Sequence, residues 1–116
     1  MRSSVAILSV AGVLVFAGHA YADGKDVYEQ VCSKCHRTGL LGAPVAGNKA
    51  AWEPRAKAGK DTLYESSLNG KNDMPPKGGN DRLSAENVKA AVDYLLRLAG
   101  LELAKSGVLT FKSEAP

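Results

Sequence analysis

Two cysteines and a histidine stand close together early in the chain, at Cys32, Cys35 and His36. Cysteines separated by two residues and followed at once by histidine are typical of c-type haem attachment. Two thiols at this spacing can add to the two vinyl groups on one edge of haem, and the imidazole that follows can bind the iron. The spacing therefore predicts one covalently bound haem c, with His36 as an axial ligand of its iron.

Other interpretations of a cysteine pair need features that this sequence lacks. A thioredoxin-like redox pair lies near a βαβ pattern, and no such pattern is visible. A structural zinc site needs four ligands, but the chain has only two cysteines and two histidines, and His19 lies in a segment predicted to be removed. Haem attachment is therefore favoured over both alternatives.

The first residues have the order of a secretory leader. Met1 and Arg2 give a short cationic start, an apolar run covers residues 5–17, and Ala20-Tyr21-Ala22 follows. This order predicts a leader over residues 1–22 with cleavage before Asp23. The alternative is a retained membrane anchor, but the run is well short of the ~20 residues that span a bilayer. We therefore expect a periplasmic protein without stable membrane insertion, which agrees with haem attachment outside the cytoplasm.

The second axial ligand is predicted at Met74. Removal of the leader would leave His36 and Met74 as the only histidine and methionine. A methionine is usually core filler, but Met74 stands among Asn, Asp, Pro and Gly, without an apolar periodicity that would bury it. A lysine ligand or an open position are the alternatives. Histidine with methionine is an established ligand pair of haem iron.

Three further residues are candidates for supporting the cofactor. The carbonyl of Pro44 could accept the proton on the far nitrogen of His36, an outer hydrogen bond that orients a metal ligand; alternatively, this proline only punctuates a loop. The indole N–H of Trp52 and the guanidinium of Arg55 would suit the carboxylates of the haem propionates. The alternative for Trp52 is an ordinary core position.

Apolar spacing and capping residues predict four helices connected by loops. A mild net charge of +3 gives no indication of a nucleic-acid partner. The tail over residues 101–116 is interpreted as a strap on the domain, with a partner-docking segment as the alternative. The predicted helices cover residues 23–32, 48–57, 60–68 and 83–99, the last with Ser84 as its N-cap.

These residues together resemble the class I c-type cytochromes, and most closely the bacterial cytochrome c5 group. The similarity runs from Asp23 to about Ala99. It rests on the haem motif, on the Gly-Ala-Pro that ends at Pro44, on the segment from Ala50 to Arg55, on the Met-Pro-Pro-Lys-Gly-Gly-Asn loop from Met74, and on the last helix. Two features differ: residues 78–83 lack the second cysteine pair of many members, and the tail after Gly100 is longer.

The resemblance implies an all-α fold of about four short helices around one haem, with the first and last helices crossing. The domain would cover residues 23–100, followed by an extension of uncertain structure over residues 101–116. The resemblance also implies low-spin iron between His36 and Met74, Pro44 bonded to His36, and Trp52 and Arg55 near a propionate.

The function expected from these residues is single-electron transfer between protein partners, without a catalytic residue or a substrate-turnover site. Those partners would be an electron donor and an acceptor, such as a membrane terminal oxidase or a cytochrome bc complex of a respiratory chain. Two alternatives stay open: a haem-bearing subunit of a dehydrogenase or oxidase complex, and a haem sensor or enzyme in which Met74 is not a stable ligand. The predicted contact rim for partners is formed by Leu40, Leu41 and Pro75, with Lys34 and Lys77 at its border.

Overall fold

The structure is a computed structural model that describes residues 5–14, 21, 23–103 and 109–111, with side chains described up to Leu101. It confirms the all-α class, in which five α-helical segments carry the domain, and adds a short hairpin in the tail. The α-helices are α1 (Gly24–Val27), α2 (Ser33–His36), α3 (Lys49–Ala56), α4 (Lys60–Asn69) and α5 (Ala85–Leu98). A π-helical turn covers Tyr28–Cys32, and 3₁₀ turns cover Leu40–Gly42 and Pro76–Gly79.

The first helix is longer than the sequence predicts and has an irregular middle. Asp23 caps it, because its carboxylate accepts the N–H of Asp26 at 2.9 Å. The N–H of Ser33 then donates to the carbonyl of Tyr28, five residues back, which widens the helix by one residue in this turn. Wide turns of this kind occur often at functional sites, and this one ends at Cys32.

The first and last helices cross at Gly24, as the resemblance implies. A Cβ at Gly24 would collide with the carbonyl group of Ala90 on α5 and lie 3.1 Å from the N of Ala91. Only glycine therefore allows the two backbones to approach this closely. Beside the crossing, the rings of Tyr28 and Tyr94 pack in a tilted pair with their centroids 5.4 Å apart.

The last helix provides the main apolar face of the core. A capping box starts it: the hydroxyl of Ser84 accepts the N–H of Asn87 at 3.1 Å, and Oδ1 of Asn87 accepts the N–H of Ser84 at 3.2 Å. Ser84 is thus confirmed as the N-cap. The buried residues of α5 recur at helical spacing, and they are Val88, Ala91, Val92, Leu95 and Leu96.

Helix α4 contacts α5 through the carboxylate of Asp93. The hydroxyl of Tyr64 donates to Asp93 at 2.6 Å, and the ammonium of Lys60 lies 3.1 Å from the same carboxylate. Burial, and then the hydrogen bond to Asp93, raise the pKa of Tyr64, so its hydroxyl stays protonated and remains a donor.

The tail continues the core beyond the predicted boundary at Gly100. Leu101 is 1% exposed and packs in the cluster that contains Trp52, Leu95 and Leu96. It begins β1 (Leu101–Leu103), which pairs antiparallel with β2 (Leu109–Phe111). The tail thus joins the domain through a buried leucine, while residues 104–108 and 112–116 lie outside the described residues.

The predicted leader falls only partly on described residues, since residues 1–4, 15–20 and 22 lie outside them. Large apolar side chains between Val5 and Leu14 are exposed. Within the part of the chain that the structure describes, no helix combines the length and the apolar character needed to cross a membrane. Removal of the leader stays a prediction.

The crossing at Gly24 makes a prediction that separates packing from helix propensity. Propensity alone would make Gly24→Ala stabilising by about 1 kcal/mol, but the added methyl group must push α1 away from α5. We expect Gly24→Ala to lower the free energy of unfolding by about 1–3 kcal/mol, measured by chemical denaturation. The exposed neighbour Lys25 supplies the control Lys25→Ala, which should change stability little. A Gly24→Ala protein as stable as the original would contradict the close crossing.

Candidate functional site

The cysteine of the wide turn is enclosed by the core. Cys32 packs against both buried clusters of the domain, and this burial raises the pKa of its thiol to about 11. Redox-active cysteines instead have lowered pKa values, because the thiolate is the reactive form. The surroundings of Cys32 therefore favour an uncharged sulfur, such as a thiol or a thioether, and disfavour a thioredoxin-like role.

Cys35 lies one turn further along, in α2, and is half-exposed. Cys32 and Cys35 do not form a disulfide with each other. Among the described residues, no group of three or more histidines, cysteines, aspartates or glutamates could hold a metal ion. These residues thus provide two separate sulfur atoms beside one histidine, and no zinc-type cluster.

The side chain of His36 is buried and held in one orientation. Its Nδ1 lies 2.8 Å from the carbonyl oxygen of Pro44. Because a carbonyl can only accept, Nδ1 is the donor, and in the neutral ring Nε2 then keeps its free lone pair. The hydrogen bond predicted for Pro44 is present. It is the only hydrogen bond of this ring within the described chain, so Nε2 is the atom available to bind a metal.

Three consecutive residues, Pro44, Val45 and Ala46, hydrogen-bond to His36 and to the neighbouring Trp52. Besides the Pro44 carbonyl, the N–H of Ala46 donates to the carbonyl of His36 at 2.7 Å, and the carbonyl of Val45 accepts the indole N–H of Trp52 at 2.9 Å. The Trp52 ring packs beside the imidazole, with the ring centroids 5.5 Å apart. Both the side chain and the backbone of His36 are therefore fixed by the same short segment.

Trp52 and Arg55 find partners within the chain. The single indole hydrogen of Trp52 is used by the Val45 carbonyl, and Nη1 of Arg55 donates to the carbonyl of Ala51 at 2.5 Å. Arg55 is exposed, and its remaining N–H groups face no partner that the structure defines. A propionate contact for Trp52 and Arg55 stays a prediction.

Met74 lies in a separate loop that is fixed by its own backbone. The N–H and carbonyl groups of Lys71 and Met74 bond to each other reciprocally, both at 2.9 Å. Further along, Gly78 comes so close to the wide turn that a Cβ on it would lie 3.0 Å from Cγ1 of Val31. The methionine loop is therefore seated on the wide turn that carries Cys32.

Backbone strain is concentrated in these two loops. The non-glycine residues with left-handed backbone angles in the described chain are Leu41, Asn72 and Lys77, with φ near 50°. Such residues cost about 1–3 kcal/mol each and cluster at ligand clamps and active sites. Leu41 also exposes 70% of its surface, next to Leu40 at 53%. The strained residues thus lie in the loop that forms most of the apolar rim and in the loop that carries Met74.

The sequence interpretation missed Val45 and the inward contact of Lys77. Val45 acts through its backbone carbonyl, for which the sequence gives no signal. Lys77 was assigned to the outer rim, but it is half-buried and its ammonium donates to the carbonyl of Leu83 at 2.8 Å. Its charge therefore holds the methionine loop against the start of α5, a role visible only once the loop is folded.

The hydrogen bond between Trp52 and Val45 leads to a second prediction. Trp52→Phe keeps an aromatic ring but leaves the Val45 carbonyl without its donor. We expect the variant to lose about 1–3 kcal/mol of folding free energy. Lys57→Arg at the exposed C-cap of α3 is the control and should have little effect. Equal stability of Trp52→Phe and the original chain in chemical denaturation would show that this bond does not hold the loop.

Comparison with known proteins points to one family. Residues 19–95 match the family model described as cytochrome c oxidase, cbb3-type, subunit III. The chain is 40% identical over 104 residues to cytochrome c-555 of Chlorobaculum tepidum, covering 83% of this chain and 96% of that protein. It is 47% identical over 77 residues to cytochrome c5 of Azotobacter vinelandii, covering 65% of this chain and 93% of that protein.

Solved structures give the same result. The cytochrome c in an electron-transfer complex with nitrite reductase superimposes with a TM-score of 0.63 at 38% identity, over 66% of this chain and 93% of that one. A mono-haem ferrocytochrome c from Shewanella putrefaciens superimposes with a TM-score of 0.58 at 40% identity, over 63% of this chain and 90% of that one.

Proposed function

The chain belongs to the class I c-type cytochromes, the family shared by these relatives, and on this premise we propose that it carries single electrons between protein partners. Its cofactor is one covalently bound haem c. The donor set fits this group: two unpaired thiols lie beside a histidine whose Nε2 is free. The orientation of His36 by Pro44 is the single observation that carries the proposal.

Haem c supplies the electron-transfer chemistry, since its iron can alternate between the ferric and ferrous states. In the proposal, Cys32 and Cys35 hold the group as thioethers, which carry no charge and therefore suit the burial of Cys32. Nε2 of His36 would bind the iron. The hydrogen bond to Pro44 prevents the ring from rotating and makes the nitrogen a better donor.

Met74 is proposed as the second axial ligand. Its soft thioether sulfur favours the reduced ion, so a histidine–methionine pair raises the reduction potential relative to two nitrogen ligands. A loop fixed by the reciprocal Lys71–Met74 hydrogen bonds and by the ammonium of Lys77 suits a ligand that must stay in place in both oxidation states. With His36 and Met74 both bound, the iron would have no position left for a substrate.

We further propose that the protein is exported and works in the periplasm, because the leader-like N-terminus and the attachment of haem outside the cytoplasm agree. A free carrier is favoured over a haem subunit of a larger complex. The family model is described by an oxidase subunit, but the small relatives, cytochromes c5 and c-555, are covered over 93% and 96% of their length. These small relatives therefore consist almost entirely of this one domain, with no larger domain fused to it.

The proposed partner surface is the apolar rim formed by Leu40, Leu41 and Pro75, all of which are exposed. An apolar centre with few charges suits brief encounters between redox proteins. Of the two lysines assigned to its border, Lys34 is exposed and Lys77 is held by Leu83. Lys34 is therefore the one whose charge is free to steer a partner.

Substitution of Met74 tests the ligand assignment. Met74→Ala should remove the far-red ferric band of the iron–methionine bond, lower the reduction potential and allow the reduced protein to bind carbon monoxide. Pro75→Ala in the same loop is the control and should keep the band. If Met74→Ala retains the band, or if the unchanged protein binds carbon monoxide as readily as the variant, Met74 is not the ligand and a sensing or catalytic role would be favoured.

Charge reversal tests the partner surface. We expect Lys34→Glu to reduce the rate of electron transfer to an anionic redox partner roughly two- to tenfold at low ionic strength, with the difference shrinking as salt is added. Lys57→Glu, an exposed lysine on the C-cap of α3, makes the same change in net charge and is the control. Stopped-flow kinetics that show equal rates for both variants would contradict the position of the surface.

A further inference from the structure

Tyr21 precedes the first helix and belongs to the segment that the sequence predicts to be removed, yet it is packed into the domain. Its side chain is half-buried, and its hydroxyl accepts a hydrogen bond from Nδ2 of Asn80 at 2.8 Å. The ring packs against the apolar cluster formed by Val27, Val31, Leu83, Val88 and Ala91. A residue that is discarded on export would gain nothing from such contacts.

The partner of Tyr21 ends the methionine loop. Asn80 follows the 3₁₀ turn over Pro76–Gly79, and its N–H donates to the carbonyl of Lys77 at 3.2 Å. Its Oδ1 accepts the N–H of Arg82 at 3.2 Å. The amide of Asn80 is thus bonded through Oδ1 to Arg82, shortly before α5, and through Nδ2 to Tyr21. Tyr21 therefore fixes the end of the loop that carries Met74.

The sequence offers two cleavage points to a leader peptidase. Small residues at alternate positions precede both bonds: Gly18-His19-Ala20 stands before Tyr21, and Ala20-Tyr21-Ala22 stands before Asp23. The Ala-Tyr-Ala motif favours cleavage before Asp23, whereas the contacts of Tyr21 within the domain favour the earlier bond.

Electrostatics favour the earlier bond. Asp23 is the N-cap of α1. Cleavage before Asp23 would place a charged α-ammonium on the capping residue itself, next to the positive end of the helix dipole, where a cation is destabilising. Cleavage before Tyr21 keeps the ammonium two residues away from the residue that caps the helix.

We propose that export hydrolyses the Ala20–Tyr21 bond, so that the mature protein begins at Tyr21, whose hydroxyl then positions the methionine loop through Asn80. In this step a leader peptidase adds water across the peptide bond, which leaves a carboxylate on Ala20 and a free amine on Tyr21. Tyr21 is a positioning residue, and this second part of the proposal rests on Met74 as the axial ligand.

The N-terminal residue of the exported protein tests the first part. The full chain is expressed with its leader in a host that attaches haem c, and the purified periplasmic protein is analysed by intact mass and N-terminal sequencing. A chain that begins with Tyr-Ala-Asp is the expected result. A chain that begins with Asp23 overturns the proposal, whatever the state of the iron.

The hydroxyl of Tyr21 tests the second part. The Tyr21→Phe variant removes this hydroxyl. We expect the ratio of methionine-bound to methionine-free ferric iron to fall about fivefold, because one hydrogen bond contributes about 1 kcal/mol. The far-red band measures this ratio during a pH titration. Tyr94→Phe is the matched control, because the Tyr94 hydroxyl has no hydrogen bond within the described chain. Tyr21→Phe made in an Asn80→Ala background should add no further change.

The outcomes separate the two proposals. A far-red band that is the same in Tyr21→Phe, Tyr94→Phe and the original protein overturns the positioning role of Tyr21 and leaves Met74 as the ligand. Absence of the band from the original protein overturns the ligand proposal and with it the positioning role, while the N-terminal sequence still decides the cleavage point.

Discussion

The hydrogen bond from Nδ1 of His36 to the carbonyl of Pro44 is the interaction on which the rest of the site depends. It selects the tautomer, fixes the ring and leaves Nε2 free. The neighbouring residues reinforce it, since Ala46 binds the backbone of His36 and Val45 binds Trp52. Because Trp52 belongs to the core with Leu95 and Leu96 of α5, the orientation of one imidazole is connected directly to the packing of the domain.

The second loop is held by different means. The loop of Met74 is closed by backbone hydrogen bonds, by the ammonium of Lys77 on the Leu83 carbonyl and by the close approach of Gly78 to Val31. Both loops thus meet the helix that contains Cys32, and that helix is itself fixed to α5 at Gly24. Two strained loops therefore rest on the crossing of the first and last helices. A cofactor whose ligands must stay in place in two oxidation states requires rigid support of this kind.

Much of this could be predicted from the sequence, because the signals are local. The haem motif, the caps at Asp23 and Ser84 and the helical spacing in α5 depend on residue types at fixed separations. The wide turn before Cys32, the carbonyl of Val45 and the inward ammonium of Lys77 could not, since they depend on backbone geometry or on contacts formed only after folding. The same is true of Leu101, whose burial follows from the space left beside Trp52.

The most direct test of the account is the visible spectrum of the purified, exported protein in both oxidation states, with and without carbon monoxide. An iron held between His36 and Met74 predicts a low-spin c-type spectrum, the far-red ferric band of an iron–methionine bond and no response of the reduced protein to carbon monoxide. A high-spin spectrum, or ready binding of carbon monoxide, would contradict the proposed ligand pair and the electron-carrier function built on it.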